Sequence, residues 1–138
     1  MTELKENEIG AKMVYGKDCP YIEIQRHEDG LFVSEAVLRL IGNPDTIRIQ
    51  WNASKRILII ESSDASDANG LLVADFTDTG QGVLFIGSFI LFNEIWNSKW
   101  DDDMCYRIVA KYNVPSNLAI FDIGKAVASD SYIDYNLD

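Results

Sequence analysis

The sequence predicts a mostly β protein of the α+β class, built from two pseudo-symmetric β-β-α-β-β repeats. Three observations support this prediction. Apolar segments of strand length recur along the chain, a short helical segment interrupts each half, and the order of the segments is the same in both halves. A repeated order of elements constrains the architecture before any side-chain chemistry is considered. With 138 residues and a hydrophobic fraction of 47%, the chain is long enough to bury one full core.

The first repeat is predicted over residues 19–62, after a flexible N-terminal arm over residues 1–18. Residues 21–25 alternate apolar and polar side chains, which is typical of a half-buried strand. Asp29-Gly30 is typical of a hairpin turn, and residues 31–33 form the returning strand. These segments make the first β-β unit of the repeat.

A short helix and a second hairpin complete the first repeat. Ser34 is predicted to cap the helix, and Gly42 to end it in a left-handed conformation. Residues 46–51 alternate, so the strand has one buried face and one solvent-exposed face. Residues 57–60 are continuously apolar, which indicates a strand buried on both faces.

The second repeat is predicted over residues 71–128, after an acidic and polar linker over residues 63–70. Its helix is expected to begin at Gly87 or Ser88, and residues 106–112 and 118–123 are expected to pair as a hairpin. The remaining residues, 129–138, are interpreted as an acidic tail.

The charge distribution argues against nucleic acid as a long-range partner. The formal net charge is -10 at pH 7, and no Lys or Arg lies between Arg56 and Lys99. A negative protein repels the phosphate backbone. No apolar run approaches the roughly 18 residues of a membrane span, and no secretory leader is recognised. The protein is therefore expected to be cytoplasmic, with no membrane partner and with Cys19 and Cys105 as reduced thiols.

No constellation of catalytic residues stands out. His27 is the one histidine and lies beside a turn, where a surface position is favoured over a catalytic one. Asp101-Asp102-Asp103 offers oxygen ligands for a hard cation, but a solvated loop is favoured. The prediction is a non-enzymatic protein with no cofactor and no metal site.

The first repeat resembles the swapped-hairpin DNA-binding module of the AbrB and MraZ transcription factors. The matching features are the Asp29-Gly30 turn, Arg39 in the helix, Ile41-Gly42 at its end and the apolar hairpin that follows. The second repeat matches more loosely, through Asp78, Gly82 and the apolar residues 83–86. Two such modules in about this length are the MraZ arrangement. The resemblance implies a small barrel of interlocked hairpins, a homo-oligomer, and DNA as the partner.

The chain departs from the family pattern at the DNA surface. The Arg that follows Gly in the family is Leu31 in one repeat and Val83 in the other, and the Pro before the helix is Ser34 or Gly87. The basic residues left as a predicted DNA surface are Arg26, Arg39, Arg48, Lys55 and Arg56. Arg26 and Arg48 could form a small basic patch on the wet faces of their strands. The alternative interpretation is that these two side chains pair in solvent with acidic neighbours, namely Glu23, Glu28, Asp45 and Glu61.

One aromatic group suggests a second class of function. Trp96 and Trp100 are four residues apart, and Phe92 precedes them by one helical turn, so the three share a helix face. That face is either the outer edge of the core or a docking patch for a protein partner. Two hypotheses follow: a DNA-binding regulator of the AbrB/MraZ type, or an acidic protein-interaction module that keeps the fold without binding DNA.

Overall fold

The structure, a computed structural model, describes residues 18–26, 30–86, 92–111 and 117–129. In chain order its strands are β1 (Tyr21–Gln25), β2 (Gly30–Ser34), β3 (Thr46–Asn52), β4 (Ile57–Ser63), β5 (Leu71–Leu72), β6 (Thr77–Asp78), β7 (Gly82–Ile86), β8 (Cys105–Val109), β9 (Leu118–Asp122) and β10 (Val127–Ser129). Its helices are α1 (Glu35–Leu40) and α2 (Phe92–Ile95), with 3-10 turns at Val73–Asp75 and Ile123–Lys125.

The strands form two antiparallel sheets. The six-stranded sheet has the order β10-β8-β1-β2-β7-β6, and the four-stranded sheet has the order β5-β3-β4-β9. This confirms the mostly β, α+β class. The predicted closed barrel is not found: in the described part of the chain the strands make two separate sheets, each with two open edges.

The two halves of the chain pair differently. In the first half β1 pairs with β2 and β3 pairs with β4, as the predicted repeat requires. In the second half β8 pairs with β1 and β10, whereas β9 pairs with β4 in the other sheet. Where the predicted second hairpin would lie, the amide of Lys111 donates to the carbonyl of Ile120 over 2.8 Å. The pseudo-symmetry of the repeats therefore stays a prediction, and residues 112–116 lie outside the described residues.

Helix α1 begins and ends as its sequence predicts. The side chain of Ser34 accepts a hydrogen bond from the amide of Val37, which satisfies one of the unpaired donors of the first turn. Gly42 has φ +91, and the amide of Asn43 donates to the carbonyl of Leu38 over 2.7 Å. A left-handed glycine with this bond is the usual way for a helix to end. The start predicted for the second helix, at residues 87–91, lies outside the described residues.

One core lies between the two sheets and the helices. In a strand, alternate residues share a face, so the inner face of each sheet supplies every second side chain. The six-stranded sheet contributes Ile22, Ile24, Leu31, Val33, Val83, Phe85 and Ile108; the four-stranded sheet contributes Ile47, Leu58, Ile60, Ala119 and Phe121; the helices contribute Val37, Phe92 and Ile95.

Burial differs from the predicted pattern in two strands. Every residue of β1 is buried, including Glu23 and Gln25, so the strand is not half-buried. In β4, Leu58 and Ile60 are buried but Ile57 and Ile59 are only partly buried, so the strand is not enclosed on both faces. The polar side chains of β1 can be buried because each has a hydrogen-bond or ion-pair partner, as described below.

The predicted linker is held in place by its own side chains. Ser63, the last residue of β4, donates its hydroxyl to Asp67 Oδ2 over 2.6 Å, and the amide of Asn69 donates to Asp67 Oδ1 over 2.9 Å. A Cβ on Gly70 would lie 2.6 Å from Thr46 Cγ2, so the loop packs closely on β3. After it, residues 71–72 form β5 and residues 73–75 form a 3-10 turn. The division of the chain into a linker and two repeats stays a prediction, and most of the predicted arm and tail lies outside the described residues.

Candidate functional site

The basic residues predicted to contact DNA lie on separate elements. Arg26 follows β1, Arg39 lies in α1, Arg48 lies in β3, and Lys55 with Arg56 lies in the turn between β3 and β4. Arg56 has φ +54, a left-handed conformation that a turn residue adopts at some cost. These positions belong to both sheets and to a helix, so the set does not share one element or one strand face.

Arg26 packs against the aromatic cluster beside α2. Its guanidinium carbon lies 5.8 Å from the centre of the Phe92 ring and 5.5 Å from that of Trp96. Its Nε lies 3.9 Å from Oδ1 of Asp102. Cation–π contacts within about 6 Å are attractive, so the aromatic rings and the carboxylate both hold this side chain.

Arg56 also reaches α2. Its Nη2 donates a hydrogen bond to the carbonyl of Ile95, at the last residue of the helix. Its guanidinium carbon lies 5.4 Å from the centre of the Trp51 ring. The Nε1 atom of Trp51 is buried and has no hydrogen-bond partner in the described structure. Arg26 and Arg56 are thus directed to aromatic and carbonyl groups of their own chain.

The other two arginines of the set form ion pairs, exposed for Arg39 and partly buried at Asp67 for Arg48. Arg39 Nη2 lies 3.4 Å from Asp18 Oδ1, and Arg39 Nη1 lies 3.9 Å from Glu35 Oε1. Arg48 Nε lies 4.0 Å from Asp67 Oδ2. This is the kind of pairing that the alternative interpretation expected, but with different acidic partners. Exposed pairs of this kind contribute about 0–1 kcal/mol each.

The aromatic residues proposed as a docking patch belong to the core or its rim. Phe92 and Trp96 are buried, and Trp100 is partly buried. The Trp100 ring stacks on Tyr106 at 4.2 Å, and the Trp96 ring meets both of them edge-on, at 5.0 Å and 5.5 Å. The aromatic rings therefore pack against one another. Of the two interpretations of this group, its geometry favours the edge of the core.

No local sequence pattern predicts the buried ion pair between β1 and β8. Glu23 is 0% exposed and forms an ion pair with Arg107, the residue opposite it in the ladder. Gln25 Nε2 donates to the second carboxylate oxygen over 2.9 Å, and the Arg107 guanidinium carbon lies 5.6 Å from the Tyr21 ring. A buried carboxylate needs such partners. Glu23 and Arg107 are 84 positions apart in the sequence. Only the register between β1 and β8 shows that they are partners, and no local pattern encodes that register.

A cleft of about 330 Å³ lies between α1 and the chain around β6 and β7. Its apolar lining comes from Leu38, Val73 and Val83. Gly82 also lines it, and a Cβ at this residue would lie 2.2 Å from the Val33 carbonyl oxygen. The absence of a side chain at Gly82 therefore allows β7 to lie close to β2 at the edge of the cleft.

The polar rim of this cleft carries two carboxylates, one amide and one guanidinium. It is formed by Glu35, Asp78, Asn43 and Arg39, and one Asp78 oxygen accepts a hydrogen bond from the amide of Gly80 over 2.9 Å. Arg39 lies within ion-pair distance of both Glu35 and Asp18, so the cation of the rim lies between these two carboxylates. We call this cleft the α1 groove.

Perturbed ionisation is found outside the α1 groove. Hydrogen bonds from Ser66 lower the pKa of Asp64, and hydrogen bonds from Ser63 and Asn69, with Arg48 nearby, lower the pKa of Asp67. Burial raises the pKa of the Cys19 thiol, which makes it less nucleophilic at neutral pH. Cys19 and Cys105 are not joined by a disulfide.

The described residues contain neither a cluster of metal-ligating side chains nor a helix that could span a membrane. No group of three or more His, Cys, Asp or Glu side chains in them is arranged to hold a metal ion. None of the helices described is long and apolar enough to cross a membrane.

Comparisons with known proteins add no family. No protein-family model matches the chain, no curated protein matches it, and no solved structure matches it. The resemblance to AbrB and MraZ stays a prediction from the residues quoted above.

Proposed function

We propose that this protein is a non-enzymatic interaction module that binds a basic segment of a protein partner in the α1 groove. One observation carries the proposal: the groove combines an apolar floor with an acidic rim at Glu35 and Asp78. A side chain such as Lys or Arg fits both features, because its methylene stem packs on apolar atoms while its charge meets carboxylates.

The charge of the whole chain acts in the same direction. A net charge of -10 attracts a basic partner from a distance and repels nucleic acid. The arginines required for DNA binding support the same conclusion, because Arg26 and Arg56 would have to leave the aromatic and carbonyl groups that they contact. A DNA-binding regulator of the AbrB/MraZ type remains the competing proposal.

Arg39 gives the proposed groove an internal competitor. Its side chain is 43% exposed and that of Glu35 is 44% exposed, so their ion pair costs little to open. A basic side chain from the partner replaces Arg39 at Glu35. The two proposals therefore predict opposite effects of removing Arg39: tighter binding of a basic peptide, or weaker binding of DNA.

The test is fluorescence anisotropy with two labelled probes, a short peptide of alternating Lys and Leu residues and a random-sequence DNA duplex. Each is titrated with the protein at about 50 mM and about 200 mM salt, where charge–charge attraction is screened to different degrees. We expect the peptide to bind at both salt concentrations, more weakly at the higher one, and the duplex not to bind.

Single-residue variants locate the binding. Asp78→Asn should weaken peptide binding several-fold, and Arg39→Gln should tighten it about 2–5-fold, the equivalent of an exposed ion pair. Asp103→Asn removes the same charge from an exposed loop and is the matched control. Equal weakening of peptide binding by Asp78→Asn and Asp103→Asn would show that the peptide is bound by general charge attraction and not in the α1 groove. Duplex binding that is lost in Arg39→Gln would favour the DNA-binding regulator instead.

A further inference from the structure

The four-stranded sheet carries an apolar stripe on the face that points away from the core. Ile59 lies opposite Ile120 in the β4–β9 ladder, and Ile57 and Leu118 occupy neighbouring rows of the same face. All four are only partly buried, whereas the residues between them in β4 and β9 face inward and are buried. We call these four residues the outer stripe.

The polar residues around the outer stripe nearly balance in charge. Arg48 lies opposite Glu61, Gln50 lies opposite Ile59, and Asp122 lies opposite Ile57. Lys55 is exposed in the turn at the end of this face. With Asp67, the ion-pair partner of Arg48, two positive and three negative side chains give a net charge of -1 here, in a chain whose total is -10.

We infer that the outer stripe packs against the outer stripe of a second copy of this chain. Two chains of net charge -10 repel, so a self-contact is favoured on a face whose charges nearly cancel. A twofold axis lets one patch bury itself against its own copy. Sheets pack face to face at about 10 Å, and aliphatic side chains such as these fill that space.

The size of the face predicts a weak dimer. Three strands about 4.8 Å apart and seven residues of about 3.3 Å each give a face of about 14 by 23 Å. That is about 320 Å² in projection for each copy, below the roughly 800 Å² of accessible surface that a standard stable interface buries per partner. The dimer should therefore form with a dissociation constant of about 100 µM, rather than as an obligate pair.

The test is sedimentation velocity of the full chain between about 5 µM and about 500 µM, which brackets the expected dissociation constant, at about 150 mM salt. We expect monomer at the lower limit and mostly dimer at the upper limit. Ile59→Lys should weaken the dimer at least tenfold, because it places two like charges in an apolar contact. Its urea unfolding curve should stay close to that of the wild type, which separates loss of the dimer from loss of the fold.

Val127→Lys is the matched control. Val127 is 54% exposed and lies on β10 in the other sheet, so the same added charge there should leave the dimer unchanged. A wild type that stays monomeric at every concentration would overturn the inference. Equal loss of the dimer in both variants would also overturn it. Dimerisation that appears only in a chain truncated after Ser129 would overturn it as well, because residues 130–138 would then be what occupies the outer stripe in the full chain.

Discussion

The outward faces of the two sheets combine polarity and burial in opposite ways. On the six-stranded sheet Glu23 and Gln25 point away from the core and are nevertheless buried. On the four-stranded sheet Ile57 and Ile59 point away from the core and are partly exposed. Alternation along a strand correctly shows which residues share a face, but it does not show whether that face meets solvent.

The difference has a thermodynamic consequence. A buried carboxylate stabilises the fold only together with its partners, so the face that holds Glu23 depends on Arg107. Aliphatic side chains that stay partly in water contribute less to the free energy of unfolding, because less apolar area leaves solvent. The first face should therefore be sensitive to single substitutions, and the second should be tolerant.

The largest effect is expected from Arg107→Leu. Among the described residues this change leaves Gln25 as the remaining side-chain hydrogen-bond donor to the buried Glu23 carboxylate, and it should lower the free energy of unfolding by about 3–5 kcal/mol. The double variant Glu23→Leu/Arg107→Leu should recover most of that loss, because no charge is then buried. Urea unfolding followed by circular dichroism measures both.

Arg39→Leu is the control for this prediction. It removes an arginine from exposed ion pairs with Asp18 and Glu35, and should change the free energy of unfolding by less than about 1 kcal/mol. If Arg107→Leu costs no more than Arg39→Leu, Glu23 is solvated, and the contrast between the two outward faces is lost.

A smaller effect is expected from adjacent residues of β4 that point in opposite directions. Ile60→Ala should cost about 2–5 kcal/mol, because Ile60 is fully buried between the sheets. Ile59→Ala, one residue away, should cost under about 1 kcal/mol when unfolding is measured on dilute monomer. Equal losses would mean that the outer stripe is covered as completely as the core.

The smallest effect is expected from pH, at the loop that reaches the rim of the outer stripe. Asp64 and Asp67 have pKa values held below the ordinary 3.8 by hydrogen bonds, and Arg48 contributes at Asp67. Their ionised forms therefore stabilise the fold above the ordinary pKa. That contribution is lost as the pH falls through the lowered value.

Thermal unfolding at about pH 6 and about pH 3 measures this contribution. The wild type should lose more thermal stability on acidification than Asp67→Asn, in which the titrating group is absent. Asp103→Asn is the comparison variant, since it removes one exposed carboxylate elsewhere. If Asp67→Asn and the wild type respond identically, the hydrogen bonds of this loop do not distinguish the two ionisation states.

Local features of the fold were predictable from the sequence because local residues determine them. The strand at residues 21–25, the cap at Ser34 and the left-handed Gly42 each depend on neighbours within a few positions. The different pairing of β8 and β9 depends on which distant strand lies beside each, and no local pattern states this.

The candidate site was less predictable for the same reason. The α1 groove joins Glu35 with Asp78, 43 positions apart, and the arginine side chains of the first half find partners as distant as Asp102 and Ile95. The residue types were visible in the sequence. The groups that these side chains contact depend on the tertiary packing of both halves of the chain.

The pairing of β8 with β1 and of β9 with β4 has a consequence for synthesis on the ribosome. Both first-half strands are central in their sheets, and each lacks one neighbour until residues 105–122 have been made. Contacts so distant in sequence are slow to form, because long loops must close first. These two strand edges of the nascent chain therefore stay unsatisfied until residues 105–122 have left the ribosome, and the cooperative fold becomes accessible only then.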